Sequence, residues 1–492
     1  MNYYVGCDLG TSSMKLLLLD GCGAVIASVS KEYPVSYPKP GWSEQDAELY
    51  YDAFMSLMPK LLEGKDPSCV RGIGVAGQMH GLVALDKCGK PLRPVILWND
   101  GRTQPQSDRL NSDFGTEKLI EYTANISYAG FTLPKLLWMR ENESELFLKI
   151  RSILLPKDYL NYRLTGVMST DPSDASGMLL YNVKDKKWSP EMLAVAGISE
   201  DMLPHVSESG EIVGRLLPSV ADALGLSREV FVIAGAGDNA AAAIGTATVG
   251  NGKCNISLGT SGTVFISSDR FCAPKDAALH SFAHADGGYH LMGCMLSCAS
   301  CNKWFIEDIL NTKDYTEEFG AIGEDMLGNS RVYFLPYLMG ERSPLNDTDV
   351  RGTFIGLDAS VTRREMLLAV IEGVCFALRD NLEVAEAMGI NINESTVSGG
   401  GARSPIFLRV LSSVLGIDLL LPKTEQGPAY GMGILAATAA GEYENITAAV
   451  RATVRYKERI TPDAALVSRY AEKYEKFKLI YPAVRELYKK IK

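Results

Sequence analysis

Short apolar runs separated by a turn of small residues open the chain. Residues 5–8 and 14–19 are largely apolar, and the sequence L-G-T-S-S lies between them at 9–13. Runs of this length around a glycine-containing turn predict a β-hairpin. The pattern further predicts a strand at 24–28, a helix with apolar residues at helical spacing at 48–62, and a strand at 72–76.

A second hairpin of the same kind is predicted near the middle of the chain. Its strands are residues 254–257 and 263–267, and its turn reads L-G-T-S-G. The two hairpins can be superimposed as D-L-G-T-S on S-L-G-T-S, which indicates a duplicated domain rather than a solenoid of many short repeats. Because glycines cluster at 245–252, we place the boundary there, with an N-terminal domain at 1–245 and a C-terminal domain at 246–492.

Helices and strands alternate in the last third of the chain. The pattern predicts helices at 362–381 and 406–415 and strands ending at 398 and spanning 419–421. Alternation at these lengths predicts α/β layers. The predicted fold class is therefore α/β, with two duplicated domains and a cleft between them.

The composition of the chain indicates its cellular location and excludes some classes of binding partner. The 492 residues are 46% hydrophobic and 22% charged, with a formal net charge of −10 and no basic block. Nucleic acid and anionic membranes are therefore unexpected partners. No run of about 18 apolar residues predicts a membrane span. With no secretory signal at the start, we predict a cytoplasmic protein.

The ten cysteines fit the same compartment. They are scattered, and several lie in apolar runs, which indicates reduced, buried thiols. Cys298 and Cys301 form a C-x-x-C, but a metal site would need a second such pair. We therefore interpret the pair as structural thiols in a predicted helix at 295–309.

The first turn is a candidate phosphate site. Gly10 allows a sharp turn whose N–H groups can point at an anion, and Thr11 and Ser12 add hydroxyl donors. The carboxylate of Asp8 at the strand end could hold Mg²⁺. The alternative is an ordinary hairpin loop.

The second copy of the turn strengthens the phosphate interpretation. Gly259, Thr260 and Ser261 repeat the same residue types in the other half. Two such turns, one in each half, suit a nucleotide held between two lobes.

A third glycine cluster follows a predicted strand and precedes a helix. Gly400, Gly401 and Ala402 leave the backbone open to close approach by a flat or anionic ligand. The alternative is a flexible connection.

Asp238 is the candidate catalytic base. It follows Gly235 and Gly237 and precedes an alanine-rich predicted helix, just ahead of the domain boundary. A carboxylate at an interdomain cleft can accept a proton from a substrate hydroxyl. The alternative is a helix cap, and the residues alone leave the two interpretations open.

The segment Gln78, Met79 and His80 follows the strand at 72–76. An amide, a thioether and an imidazole between glycines suit contact with a polyol, although a lone histidine is more often structural. The G-x-G-x-x-G at 72–77 lies within the strand itself, so it does not predict a dinucleotide site, and a Walker A sequence is absent.

Over its whole length the chain resembles the FGGY carbohydrate kinases. Two family signatures match, at residues 130–142 (G-F-T-L-P-K-L-L-W-M-R-E-N) and at residues 352–372 (G-T-F-I-G-L-D-A-S-V-T-R-R-E-M-L-L-A-V-I-E). The segments at 77–81, 97–102, 155–160 and 237–240 are similar to those of family members that phosphorylate D-xylulose. Glycerol kinases of the family carry an Arg-Glu pair where this chain has Met79 and His80.

The resemblance implies an actin-like (ribonuclease H-like) fold in each half, with sugar bound by the N-terminal domain and nucleotide by the C-terminal domain. It implies ATP-dependent phosphorylation of D-xylulose to D-xylulose 5-phosphate, with Mg²⁺ as the metal. It also implies a role for each candidate: sugar contact by Met79, His80, Asp238 and Asn239, metal–phosphate orientation by Asp8, phosphate binding by the two turns, and adenosine contact by Gly400, Gly401 and Ala402.

Two alternatives stay open from the sequence. One is a kinase of the same family for another acceptor, such as ribulose, fuculose, gluconate or glycerol. The other is a non-catalytic ATP-binding scaffold on the same fold. Many kinases of this type are homodimers, but nothing in the sequence marks an interface, so the resemblance leaves the oligomeric state open.

Overall fold

A computed structural model describes residues 1–491. The N-terminal half is built on a mixed sheet of seven strands, with several two-stranded sheets beside it. Its strands are β1 (Tyr3–Leu9), β2 (Ser13–Asp20), β3 (Val25–Glu32), β4 (Glu44–Gln45), β5 (Val70–Gly77), β6 (Val83–Leu85), β7 (Val95–Ile96), β8 (Ser152–Leu154), β9 (Ser169–Thr170), β10 (Tyr181–Asn182), β11 (Lys187–Trp188), β12 (His205–Val206), β13 (Ile212–Arg215), β14 (Phe231–Ile233) and β15 (Ala236–Gly237).

The C-terminal half is built on a second mixed sheet of seven strands. The strands of this half are β16 (Cys254–Leu258), β17 (Gly262–Ser268), β18 (His280–Ala283), β19 (Tyr289–Met295), β20 (Tyr333–Leu335), β21 (Thr353–Ile355), β22 (Glu394–Ser398), β23 (Asp418–Pro422) and β24 (Tyr456–Ile460).

The two large sheets repeat one pattern of pairing. In the first, the order β3-β2-β1-β5-β14-β13 runs through two antiparallel, two parallel and one antiparallel contact. In the second, the order β19-β17-β16-β22-β23-β24 has the same succession. The predicted hairpins form the centre of each sheet, so the predicted duplicated α/β fold is confirmed.

Helices cover the sheets of both halves. They are α1 (Glu48–Leu61), α2 (Gln104–Arg109), α3 (Thr116–Thr123), α4 (Thr132–Asn142), α5 (Ser144–Phe147), α6 (Pro156–Thr165), α7 (Pro172–Ala175), α8 (Pro190–Ala196), α9 (Pro218–Leu224), α10 (Asp238–Gly245), α11 (Ala299–Lys303), α12 (Tyr315–Gly320), α13 (Arg363–Ala387), α14 (Pro405–Leu415), α15 (Pro428–Ala439), α16 (Ile446–Thr453), α17 (Ala464–Phe477) and α18 (Ile480–Lys490).

Helix α15 joins the two halves through a shared apolar core. Although it lies late in the chain, it packs on β1, β5 and α10 of the N-terminal half. Glycines permit this contact: a Cβ at Gly6 would lie 1.8 Å from the carbonyl oxygen of Ala429, and one at Gly431 would lie 1.9 Å from that of Ala241. The N-terminal sheet therefore depends on a helix from the far end of the sequence.

The predicted helix at 295–309 begins later than the sequence pattern suggests. Met295 still belongs to β19, because it pairs with Gly262 of β17. The helix starts at Ala299 and continues as a π-helix over Trp304–Ile309. Cys298 and Cys301 are both fully buried free thiols, which fits the interpretation of a structural pair.

No helix within residues 1–491 combines the length and the apolar character that crossing a bilayer requires.

Candidate active site

Asp238 is the first residue of α10 and faces the region between the two halves. Gly237 holds the position before the helix. One carboxylate oxygen of Asp238, Oδ1, accepts hydrogen bonds from the backbone N–H of Asn239 (2.7 Å) and from its side-chain amide (2.9 Å). Oδ2 has no hydrogen bond within the described residues, on a side chain that is only half-buried. The carboxylate therefore does not serve only as a helix cap, because Oδ2 is available to a ligand.

The acid–base properties of Asp238 suit a base. Its pKa is raised to about 7, chiefly by burial and also by the negative charge of Asp8, while the hydrogen bonds from Asn239 oppose the rise. A carboxylate with a pKa near neutral can accept a proton and release it again at working pH.

A buried ammonium group holds the backbone that leads to Asp238. Lys157 of α6 is fully buried, and its Nζ lies 2.6 Å from Asp158 and 3.2 Å from Asp171. It also donates to the carbonyl oxygen of Ala234, at 3.2 Å, just before β15. A buried cation of this kind needs paired carboxylates, and here the pairing also fixes a loop.

The same cluster reaches the residue directly before the base. Asp171 accepts from the N–H and hydroxyl of Ser173, and that hydroxyl accepts the N–H of Gly237 at 3.1 Å. Asp174, also fully buried, has no hydrogen bond to either carboxylate oxygen among the described residues. Burial raises the pKa of Asp174 well above its ordinary value, and the nearby Lys157 cation opposes that rise.

Asp8 lies near the end of β1, where the sequence places the candidate metal anchor. Its side chain is half-buried and makes no side-chain hydrogen bond within residues 1–491. Burial raises its pKa to about 6, and Lys15, its partner across the hairpin, opposes that rise. Asp8 and Asp238 are close enough for the charge of Asp8 to act on Asp238.

The first turn is held by side chains of the N-terminal half. The indole N–H of Trp98 donates to the hydroxyl of Thr11 at 2.9 Å. The amide of Gln45 donates to the carbonyl oxygen of Thr11 at 3.0 Å, and the Tyr33 hydroxyl donates to that of Gly10 at 2.5 Å. Ser12 follows in the same turn, and its carbonyl accepts the N–H of Tyr33.

Gln78 follows β5 and turns inward. Its amide nitrogen donates to Gln45 (3.2 Å) and to the Tyr50 hydroxyl (3.4 Å), and its Oε1 is buried without a partner. Gln78 thus links the segment after β5 to the first turn, and its direct contact with a substrate stays a prediction.

Met79 packs against the residue before the base, and His80 packs against Gly177. A Cβ at Gly237 would be 3.0 Å from the Met79 side chain, and one at Gly177 would be 2.3 Å from the His80 ring, so these atoms are closely packed. His80 has a positive φ of 69°. Its carbonyl oxygen accepts from the ammonium group of Lys135 at 2.7 Å.

The His80 ring has a defined hydrogen-bonding role. Its Nδ1 lies 2.8 Å from the Gly177 carbonyl oxygen, so Nδ1 carries the proton and donates. Burial, with the nearby Lys135 cation, lowers the pKa of His80 to about 3, so the ring is neutral. Nε2 is then an acceptor, which suits a hydroxyl of a sugar.

The C-terminal half completes the wall around His80. The ring stacks on Phe131, with centroids 4.6 Å apart, and Phe282 of β18 lies 6.4 Å from His80. Asn125 also exchanges hydrogen bonds with the backbone of Ser281, at 2.8 and 3.1 Å. The pocket around Met79 and His80 is therefore built from both halves.

The second turn borders a cavity of about 970 Å³. Gly259 and Thr260 lie on it together with Gly400 and Gly401 of the third glycine cluster. Ser261 continues the turn, and Ala402 borders an adjacent cavity of about 690 Å³. Backbone without side chains on one wall leaves room for a large ligand.

The opposite wall of the larger cavity carries polar and aromatic side chains. Lys303 and Phe319 line it, and Lys303 has no carboxylate within 4.0 Å among the described residues. Asn302 is buried there with its Oδ1 unpartnered. A free ammonium group, an open amide oxygen and an aromatic ring suit a phosphorylated ligand with a flat base.

Comparison with known sequences decides the family. The sequence profile of the N-terminal domain of the FGGY family of carbohydrate kinases matches residues 3–245, and that of its C-terminal domain matches residues 254–440. The chain belongs to the FGGY family of carbohydrate kinases.

Similar FGGY proteins extend over nearly the full chain. One named xylulose kinase from Escherichia coli (strain K12) is 39% identical over 480 residues, covering 97% of this chain and 98% of that protein. Another named xylulose kinase, from Bacillus subtilis (strain 168), is 36% identical and covers 99% of this chain and 98% of its own length.

Solved structures of FGGY kinases share the fold. The crystal structure of a xyloylose kinase from Brucella ovis has a TM-score of 0.93 at 37% identity, covering 99% of this chain and 100% of that one. A gluconate kinase from Lactobacillus acidophilus has a TM-score of 0.94 at 25% identity, with full coverage of both chains. As an FGGY carbohydrate kinase, the chain is an ATP-dependent sugar kinase with two α/β domains.

Several residues of the candidate site escaped the sequence analysis. Trp98 and Phe131 lie inside the family segments at 97–102 and 130–142, so their motifs signalled them without a role. Lys303 directly precedes a tryptophan in an apolar run, and no motif in the sequence marks it as a site residue. It lies on the cavity wall because β16, β17 and α11 come together in three dimensions.

Proposed function

We propose that this FGGY kinase transfers the γ-phosphoryl group of ATP to D-xylulose, giving D-xylulose 5-phosphate and ADP. The observation that carries the proposal is the carboxylate of Asp238. It is half-buried, has one oxygen free of hydrogen bonds among the described residues and a pKa of about 7, and directly follows Gly237, which packs against Met79. Relatives named xylulose kinase, which match the chain over nearly its whole length, support the choice of sugar.

In the proposed reaction Asp238 accepts the proton of the terminal sugar hydroxyl. A bond forms between that oxygen and the γ-phosphorus while the bond from the γ-phosphorus to the bridging oxygen breaks, and ADP leaves. Phosphoryl transfer of this kind depends on positioning and on charge neutralisation. The two bonds from Asn239 hold Oδ1 and leave Oδ2 for the hydroxyl.

Met79 and His80 would orient the sugar. Neutral His80 accepts a hydroxyl proton at Nε2, since Nδ1 is committed to the Gly177 carbonyl oxygen. Met79 would present an apolar face to the carbon chain. Gln78 would act through the turn that it braces, with its free amide oxygen as a further acceptor.

ATP would occupy the larger cavity and reach toward Asp238. Thr260 and Ser261 of the second turn would bind phosphate oxygens, as Gly10, Thr11 and Ser12 would do from the other side. The backbone at Gly400, Gly401 and Ala402 would lie against the adenosine. Residues 1–245 would then bind the sugar, and residues 246–492 the nucleotide.

Asp8 is the proposed anchor for Mg²⁺. Its carboxylate makes no side-chain hydrogen bond within the described residues and comes one residue before the end of the strand that leads into the first turn. No group of three or more His, Cys, Asp or Glu side chains in residues 1–491 forms a metal cage. This fits Mg²⁺, which takes one or two carboxylates and completes its shell with water and substrate phosphates. When bound, it would neutralise phosphate charge.

A coupled assay of ADP release over a panel of acceptors tests the proposal. The panel should hold D-xylulose, D-ribulose, L-fuculose, D-gluconate and glycerol. We expect kcat/KM to be highest with D-xylulose. Turnover of another acceptor at higher kcat/KM would reject the sugar assignment, and no turnover of any acceptor would favour the scaffold alternative.

Gluconate is the second candidate acceptor. A gluconate kinase from Lactobacillus acidophilus and a xylulose kinase from the same organism both match with a TM-score of 0.94 at 25% identity, so gluconate belongs in the acceptor panel beside D-xylulose. A non-catalytic scaffold is the weaker alternative, since it has no use for a free carboxylate of raised pKa at the cleft.

The remaining expectations concern location and partners. A net charge of −10 supports the prediction that nucleic acid is not a partner. A cytoplasmic location and the absence of membrane association stay predictions, and whether the chain forms a homodimer stays open.

A further inference from the structure

Arg342 of the C-terminal half is a half-buried cation without an anionic partner. It lies in the segment between β20 and β21. Its guanidinium has no carboxylate within 4.0 Å among the described residues, whereas Arg93 and Arg102, which are more deeply buried, both pair with Glu44. Withdrawing a charge from water without a partner is costly, so such a group usually serves a ligand.

The neighbouring carboxylate does not neutralise Arg342. Glu341 directs Oε1 to the backbone N–H groups of Leu296 (2.9 Å) and of Arg342 itself (2.8 Å). Burial raises the pKa of Glu341 to about 8, so the group is largely protonated at neutral pH. The positive charge of the guanidinium is therefore uncompensated.

The guanidinium belongs to the same pocket as His80. Its central carbon lies 5.2 Å from the centroid of the Tyr128 ring. Tyr128 meets Phe131 edge-on at 5.5 Å, and Phe131 stacks on His80 at 4.6 Å. Tyr128, His80 and Arg342 are each only half-buried, so together they border open space rather than core.

A chain of contacts connects Arg342 with Asp238. From Asp238 the contacts run through Gly237 and Met79 to His80, then through Phe131 and Tyr128 to the guanidinium. The thiol of Cys294 is within hydrogen-bonding reach of Arg342 and also experiences the charge of Asp238, so both charges act on the same thiol.

We propose that Arg342 is a sugar-binding residue that selects the carbonyl end of the acceptor. Its N–H groups donate to the ketone oxygen and an adjacent hydroxyl, while Asp238 acts on the hydroxyl at the other end. The rigid fork of a guanidinium suits two neighbouring oxygens better than a single ammonium does. Because Arg342 comes from the C-terminal half, the sugar bridges the two halves. This inference rests on the proposed function.

Arg342→Met tests the contact, because it removes the charge and retains an extended apolar side chain. Titration calorimetry with D-xylulose and no nucleotide should show Kd raised by at least about tenfold, which is about 1.4 kcal/mol. KM for ATP should stay within about twofold of the wild type. Arg342→Lys should recover part of the affinity. The matched control is Arg331→Met, an exposed arginine that pairs only with Asp358 on the surface.

The acceptor panel separates the possible failures. Wild-type protein that turns over no D-xylulose rejects the proposed function, and wild-type turnover with unchanged sugar affinity in Arg342→Met rejects only this inference. If Arg342→Met does not fold, as judged by its thermal transition, Arg342→Lys decides, since an unchanged Kd in that variant would contradict the paired contact. Xylitol, which lacks the ketone, adds a final comparison. Equal loss of affinity for xylitol and D-xylulose would overturn the carbonyl assignment.

Discussion

The two Gly-Thr-Ser turns share a sequence and a place in their sheets, yet their surroundings differ. The first is held by side chains, among them Trp98 and Gln45. The second is held by the start of α11: the N–H groups of Cys298 and Ala299 donate to the carbonyl oxygens of Thr260 and Gly259, and the Ser300 hydroxyl also donates to that of Thr260, at 2.7 Å. The first turn thus depends on side chains of the N-terminal half, and the second on a helix that also lines the large cavity.

The strand before each turn shows the chemical difference. Asp8 pairs with Lys15 across the first hairpin, whereas Ser257 takes the place of Asp8 in the second and pairs with Thr263. An acid–base pair in one copy is a hydroxyl pair in the other. Since Asp238 also follows the first sheet, both carboxylates lie on one side of the cleft. From this comparison we propose that the first copy carries the acid–base chemistry and that the second binds nucleotide phosphates.

Asp238→Asn should produce the largest effect, because it removes the base and preserves the size of the side chain. We expect kcat to fall by about 10²–10⁴-fold. The thermal transition should stay at least as high as in the wild type, because a charge that is costly to bury is lost. Turnover within tenfold of the wild type would show that the chemistry does not depend on this carboxylate.

Asp8→Ser converts the first turn into the second and should have the next largest effect. Losing a group that stabilises developing charge costs about 10²–10³-fold in kcat. Calorimetry without nucleotide should show sugar affinity within about twofold of the wild type, because Asp8 is assigned to metal and phosphate. A loss of sugar affinity as large as the loss of kcat would instead mean that Asp8 contacts the sugar.

The sequence predicts the parts of the fold that local pattern controls. The two hairpins, the strand over Val70–Gly77 and the helix beginning at Arg363 follow from apolar spacing and turn residues. The predicted helix start at Met295 was wrong because Met295 pairs with a neighbouring strand of the sheet. Strand pairing overrides the local helical preference at this position. The dependence of the N-terminal sheet on Gly431 of α15 has no local signal at all.

The candidate site divides in the same way. Asp8 and Asp238 stand out in the sequence because glycines and strand ends flank them. Arg342 and Lys303 do not, because each becomes part of a pocket only when distant strands bring it there. The sequence therefore identifies site residues that lie next to glycine turns and strand ends. It does not identify residues that join the site only through tertiary packing.

Ser257→Asp is the reciprocal exchange and should have a smaller effect on a different quantity. A carboxylate beside the second turn would repel the phosphates of ATP, and two like charges near a surface interact by about 1 kcal/mol or more. We expect KM for ATP to rise by about tenfold with kcat changed only a few-fold. Ser257→Ala is the control and should leave both constants near wild type. A fall in kcat with unchanged KM would mean that the second turn also takes part in the chemistry.

The smallest expected effect is a displacement of the pH profile, which tests whether the two acids are coupled. Asp238 must be ionised to accept a proton, so kcat/KM for the sugar should fall as pH decreases through about 7. Burial is the main cause of this raised pKa, and the charge of Asp8 is the second. Removing Asp8 removes only the second cause, so the acidic limb of the residual activity of Asp8→Ser should move to lower pH. A limb that stays in place, or that moves upward, would mean that the charge of Asp8 does not reach the base, and the two carboxylates would then act independently.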